Sequence, residues 1–171
     1  MATITKERAR VGYTISGNSA ETRSAPEGAG QTFKAGAMLF LSASGRLRVI
    51  PTGGTVSRPD LGQGVAGMAL QDGGNFTNST TEVQYIVAND DTVFLSNIAS
   101  RQSTATATLS FVYIGSVCGA SANGSRFFPA VKMKAATSSL CMVRGFVKPD
   151  TVGDSFGRVY WQFLKSTKAF R

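Results

Sequence analysis

The chain has 171 residues, 42% of them apolar, and 18 Lys and Arg stand against 10 Asp and Glu for a formal charge of +8 with no histidine. That length makes one ordinary domain with enough apolar content to fill a core without a disulfide staple. The absence of histidine excludes Ser-His-Asp and Cys-His nucleophilic chemistry, and apolar stretches such as Ala35 to Leu41 are far too short for a membrane-spanning helix.

Residues 1–33 are rich in Ser, Thr, Gly, Ala and charge, with Val11, Tyr13, Ile15 and Phe33 as the apolar anchors. This composition predicts an extended N-terminal arm. Within it, the alternation Val11-Gly-Tyr13-Thr-Ile15 fits one short strand, provided another edge accepts its backbone hydrogen bonds. The opening Met-Ala-Thr-Ile-Thr-Lys-Glu-Arg lacks the apolar run of a secretion signal, so cytosolic synthesis is expected.

From residue 34 to 171 the pattern is that of a β-rich domain. Met38-Leu-Phe-Leu41, the turn Ser42-Ala-Ser-Gly45 and Leu47-Arg-Val49-Ile read as a hairpin. A loop follows from Pro51 to Gly64, and then candidate strands at Val65–Leu70, Val83–Ala88 and Thr92–Leu95 are separated by Gln71-Asp-Gly-Gly-Asn75 and Asn89-Asp-Asp91. The block from Thr104 to Cys118 alternates and then becomes continuously apolar, as a strand does on entering a sheet centre, with Gly115 marking a bulge or crossing. A turn at Gly119–Ser125 precedes Phe127, Phe128 and Val131, and one helical turn is allowed near Ala130–Thr137. Leu140–Val147 and Arg158–Leu164 close the series. Eight to ten short strands without an amphipathic helix predict an all-β fold, an antiparallel β-sandwich or β-barrel.

The residues that carry chemistry are few. Gly62-Gln-Gly64-Val-Ala-Gly67 matches a phosphate-binding pattern by letter, but no strand precedes it and no helix has room to follow, so glycines serving turns and close packing are the better reading. Asp90-Asp91 sit in a turn, where consecutive acids solvate or cap it more often than they act as a catalytic pair, and with Asn89 they offer too few oxygens for a calcium loop. No catalytic residue, cofactor or metal is assigned. Cys118 and Cys141 match no metal or redox spacing and read as buried reduced thiols, a disulfide being reserved for an oxidising medium.

The charge is unevenly placed. Residues 126–171 hold nine of the cations against two acids, dispersed singly rather than in the runs typical of nucleic-acid arms, which favours an acidic protein partner. In Val159-Tyr-Trp-Gln-Phe-Leu164, alternation sends Val159, Trp161 and Phe163 to one side and Tyr160, Gln162 and Leu164 to the other, suiting a core face and an interface face. Lys165–Arg171 reads as a short basic tail anchored by Phe170.

Ala35-Gly-Ala-Met-Leu-Phe-Leu, Ser44-Gly-Arg, Gly64-Val-Ala-Gly-Met-Ala-Leu and Asp90-Asp-Thr-Val-Phe-Leu-Ser-Asn97 together resemble tailed-bacteriophage capsid decoration (cement) proteins. The ending, Val143-Arg-Gly-Phe-Val and Asp150-Thr-Val-Gly-Asp-Ser-Phe-Gly-Arg-Val-Tyr-Trp-Gln-Phe-Leu164, is similar to the close of the same group. The resemblance spans residues 33 to 165 and implies an all-β virion protein on the capsid exterior, a homotrimer or a dimer, bridging neighbouring major capsid protein subunits. In that setting Val11, Tyr13 and Ile15 are expected to add a strand to a neighbour, Tyr160 to face a subunit interface, and Arg158, Lys165, Lys168 and Arg171 to dock on an acidic shell. No membrane and no specific nucleic acid is expected as a partner. A carbohydrate- or host-surface-binding module using Trp161 and Tyr160, or a nucleic-acid-binding barrel using the same aromatics with the C-terminal cations, are the rival readings.

Overall fold

The computed structural model describes residues 9–49, 55–56, 64–74, 81–98, 107–123, 126–130 and 140–169. The chain is an all-β sandwich of two antiparallel sheets. The smaller sheet is ordered β2-β7-β6-β3-β4, from Thr22–Pro26 (β2), Met38–Leu41 (β3), Leu47–Val49 (β4), Gly64–Ala69 (β6) and Glu82–Val87 (β7). The larger is ordered β1-β8-β12-β11-β9-β10, from Arg10–Thr14 (β1), Thr92–Asn97 (β8), Val117–Asn123 (β9), Arg126–Ala130 (β10), Cys141–Phe146 (β11) and Arg158–Phe163 (β12), with Thr55–Val56 (β5) paired to β9. No helix among the described residues is long and apolar enough to cross a membrane.

The predicted hairpin forms as read. Leu41 pairs with Leu47, the Gly45 N–H donates to the Ser42 carbonyl at 2.9 Å, and Gly45 takes the left-handed φ of +72° that the turn requires. Its first strand is buried throughout because the small sheet has a core on each face. Leu39, Leu41, Leu47, Ala66, Tyr85 and Val87 fill one cluster, whereas Met38, Phe40, Val65, Met68 and Ile86 belong to the other, shared with the large sheet. A strand covered on both faces reads as a continuous apolar run, which is the pattern of Met38–Leu41 and Val65–Ala69. The small sheet also curls on itself: Glu27, directly after β2, bridges Leu47 of β4, and the Gly28 N–H donates to the Leu47 carbonyl at 2.7 Å. Both elements of the sandwich-or-barrel expectation are therefore visible, as a sandwich with one rolled layer.

Close approach inside the small sheet depends on Gly67. Register skips a residue there, Leu39 facing Gly67 and Phe40 facing Val65, and a Cβ on Gly67 would sit 1.7 Å from the Ile86 carbonyl oxygen at a φ of +154°. The glycines of the letter-match to a phosphate loop that fall in the described residues, Gly64 and Gly67, thus lie in strand β6 and open no helix.

The described part of the N-terminal stretch corrects the expected arm. β1 pairs with β8 and β2 with β7 of the same chain, and Phe33 is buried in the small-sheet core. Alternation identified the strand at Val11–Ile15, but the edge that accepts it is β8, with the Ile15 N–H continuing to the Asp91 carbonyl at 2.9 Å. The continuous strand expected up to Cys118 also gives way. Phe111–Tyr113 is a 3₁₀ turn, and the strand begins only at Val117 and runs through Asn123, where a turn from Gly119 was expected. Gly115, at φ +77°, completes the reversal as its N–H donates to the Val143 carbonyl at 2.8 Å. Ala130, where a helical turn was expected to begin, closes strand β10, and the rest of that expected turn, residues 131–137, lies outside the described residues, as does the anchor Phe170.

β12 follows its predicted alternation. Val159, Trp161 and Phe163 enter the shared core, where Trp161 stacks on Phe94 at 5.2 Å between ring centroids and donates its indole N–H to Ser96 Oγ at 2.9 Å. Burial of Trp161 removes the ring that the carbohydrate-binding and nucleic-acid readings needed at the surface.

Candidate docking surface

The chain segment that carries the surface is anchored before it is exposed. Buried Leu109 receives the Gly153 N–H on its carbonyl and gives its own N–H to the Asp154 carbonyl, both at 2.9 Å, and Thr108 bridges Ser155. Packing is tight at this anchor, since a Cβ on Gly157 would meet the Leu109 side chain at 2.3 Å. Beyond Ser110 the chain turns outward. The Tyr113 N–H bonds to the Ser110 carbonyl at 3.0 Å, and the Ser116 hydroxyl donates to the Val112 carbonyl at 2.5 Å, so both ends of the turn are fixed.

The consequence is a cluster of apolar side chains facing water. Phe111 is 71% exposed, Val112 69%, and Ile114 and Val152 45% each. Scattered exposed apolar residues are ordinary, but a contiguous group of this kind marks an interaction site. Phe111 stacks on Phe146 with centroids 5.9 Å apart and planes 25° apart, which makes one wall of a groove of about 510 Å³. Ile114, Val152, Thr151, Lys148 and Asp150 complete the lining.

The electrostatics of this groove are one-sided. The Asp150 carboxylate takes the Arg158 Nη2 at 2.7 Å, the Nε at 3.0 Å and the Arg158 backbone N–H at 2.7 Å. Burial pushes the Asp150 carboxyl up, but those hydrogen bonds and the guanidinium charge together outweigh it and hold the carboxyl below the ordinary range. Asp154 is turned inward as well, accepting the Thr151 N–H at 2.9 Å and its hydroxyl at 3.1 Å. Lys148 is exposed. A mostly apolar trough with one exposed lysine among its described lining residues is suited to binding by burial and charge pairing.

The residues singled out from the sequence fall in two other places. Tyr13 meets Tyr160 edge to face at 5.3 Å on the outer side of the large sheet, whereas Val11, set apart from Tyr13 by a break in register, packs against the shared core. Tyr13 and Ile15 are exposed, and Val11 and Tyr160 are half-buried. Arg158 is turned inward to Asp150, and Lys168, whose side chain is only 2% exposed, pairs with Asp90 at 2.6 Å. Neither presents its charge freely outward, because each is the partner that lets a neighbouring carboxylate be held. The Lys168 ammonium in turn draws the Asp90 carboxyl below its usual value. Lys165 is exposed on a 3₁₀ turn, and Arg171 lies outside the described residues.

The sequence reading missed Phe111, Val112, Ile114, Phe146, Lys148 and Val152. Phe111, Val112 and Ile114 were expected in a strand entering a sheet centre, although Ser110, Gly115 and Ser116 around them carried a turn signal, whereas Phe146 was read within the Leu140–Val147 strand, and Lys148 and Val152 in the loop that follows it. Of two other features, the thiols are buried as read, whereas the two acids do not cap their own turn: Asp90 pairs with Lys168 and Asp91 accepts the Ser16 N–H and hydroxyl. Asn89 Oδ1 caps the Asp90-Asp91 turn by accepting the Asp91 and Thr92 N–H groups at 3.1 and 2.9 Å. Cys118 and Cys141 face each other across β9 and β11, buried and unbonded, with sulfurs 3.6 Å apart.

The fold and this surface define an all-β protein with an exposed apolar groove. No protein-family model matches the chain, and no curated protein matches it either.

Proposed function

We propose that the protein is a structural virion component, a capsid decoration (cement) protein that binds the outside of an icosahedral phage head and ties neighbouring major capsid subunits together. The observation that carries this reading is the exposed apolar groove at Phe111, Ile114 and Val152, held on a two-layer β body by hydrogen bonds at both of its ends. The resemblance of residues 33–165 to decoration proteins supports the same conclusion.

The physics of the role is mass action. A protein that binds the assembled shell and not its separated subunits stabilises the shell by RT ln(1 + [L]/Kd), which is about 2.7 kcal/mol per site at a hundredfold excess over Kd. As a homotrimer, or a dimer, several modest contacts act together through their effective concentration. The excess of cations steers the approach to an acidic outer surface. Cosedimentation of purified protein with expanded, undecorated heads tests the role, with the mass of the free protein measured in parallel. Saturable binding at a fixed ratio to shell subunits is expected; failure to sediment with heads, with retention on a glycan resin or on DNA, refutes it.

A further inference from the structure

The groove at Phe111 has a definite chemical preference, and it comes from which charges nearby are already neutralised. Residues 126–171 contain only two acids, Asp150 and Asp154. Arg158 neutralises the first, and Thr151 hydrogen-bonds the second inside the fold. Lys148, in the groove lining, is exposed. The apolar lining formed by Phe111, Phe146, Ile114 and Val152 is thus accompanied by the exposed Lys148, while the carboxylate beside it, Asp150, is already paired with Arg158. A volume of about 510 Å³ is ample for one or two large side chains.

We propose that the groove takes a linear segment of an acidic protein partner, seating a large apolar or aromatic side chain against Phe111 and Val152 while an adjacent carboxylate pairs with Lys148. The partner's identity as a major capsid subunit rests on the function proposed above; the chemistry of the segment does not. A second copy of this chain is a poor occupant. An isologous contact through this patch would bring two Lys148 ammonium groups together in a chain of net charge +8, with desolvation strengthening their repulsion. Nucleic acid is a poor occupant too, because backbone binding draws on many cations and this groove offers one beside apolar walls.

The test is selection of peptides from a random-peptide display library on the immobilised full-length chain, followed by anisotropy measurements with the selected peptides. The controls are Phe111→Ser and Lys148→Glu, both at exposed positions, with unfolding midpoints measured to confirm that each variant folds. Selected peptides are expected to carry an aromatic or branched residue next to Asp or Glu and to lose about tenfold or more in affinity to either variant, equivalent to about 1.4 kcal/mol. Selection of cationic or uncharged peptides, equal binding to the variants, or no selected peptides overturns the proposal. So does a fall in the mass of the free protein on Phe111→Ser, which would assign the groove to a second copy. The same variants in head cosedimentation separate the two conclusions. If wild type sediments with heads and both variants do so equally, the groove assignment fails and the decoration role stands. If wild type does not sediment but the peptide preference holds, the role fails and the groove chemistry stands.

Discussion

Arg158→Met removes the group that neutralises Asp150 in the lining of the groove. The Asp150 side chain is 1% exposed and the Arg158 side chain 19%, so the substitution leaves a buried carboxylate without its guanidinium. Breaking a buried pair costs about 3–5 kcal/mol, and the partial exposure of Arg158 puts the expected loss at the lower end, about 3 kcal/mol, or about 6–12 °C in Tm for a chain of this length. The pH dependence has a definite sign. In wild type the Asp150 carboxyl is held below its ordinary value, so its stabilisation is fully present above the unfolded pKa of about 3.9 and is lost as pH falls through the lower folded value. In the methionine variant burial is left as the dominant influence and the carboxyl rises above its unfolded value, so protonation relieves it. The stability gap between the two proteins therefore narrows as pH falls from about 7 toward 3. Urea unfolding followed through the fluorescence of Trp161, the single tryptophan and fully buried, measures both stabilities. Adding Asp150→Asn to Arg158→Met should recover part of the loss at neutral pH. A gap that does not change with pH, or a double variant no more stable than Arg158→Met, would show that Asp150 carries no uncompensated charge in the variant and refute the reasoning.

Gly67→Ala should cost at least about 3 kcal/mol or prevent folding, since its methyl would meet the Ile86 carbonyl at 1.7 Å, and a thermal melt reads the loss directly. Ser96→Ala removes the acceptor of the Trp161 indole N–H and should destabilise by about 1–3 kcal/mol in the same urea titration, with a tryptophan emission that stays buried-like. Burial, with the neighbouring Cys118, pushes the Cys141 thiol up, so both thiols should resist an aromatic disulfide reagent in the native state and react once guanidinium unfolds the chain. Fast native labelling of either thiol would contradict the packing described for β9 and β11.

What was legible in the sequence was local. Period-two alternation marked Val159, Trp161 and Phe163 as one face of a strand, and Ser42-Ala-Ser-Gly45 supplied the turn that sets the β3–β4 register, because side-chain direction and turn geometry depend on near neighbours in the chain. The outcome was different wherever the answer lay in a distant partner. The Val11–Ile15 segment has the same alternation whether it joins a neighbouring molecule or its own β8, and only the free edge of β8 decides between them. An apolar run such as Phe111-Val-Tyr-Ile114 has the same composition inside a sheet or on a 3₁₀ turn in water. Its exposure follows from the anchoring of Leu109 against Asp154 and Gly157, residues more than forty positions downstream. The charges obey the same division. Nine cations in the last quarter are countable from the sequence, but that Arg158 and Lys168 are taken up by Asp150 and Asp90 while Lys148 remains at the surface is settled by tertiary packing, because a charge is neutralised by what lies within a few ångströms and not by what lies nearby in the chain.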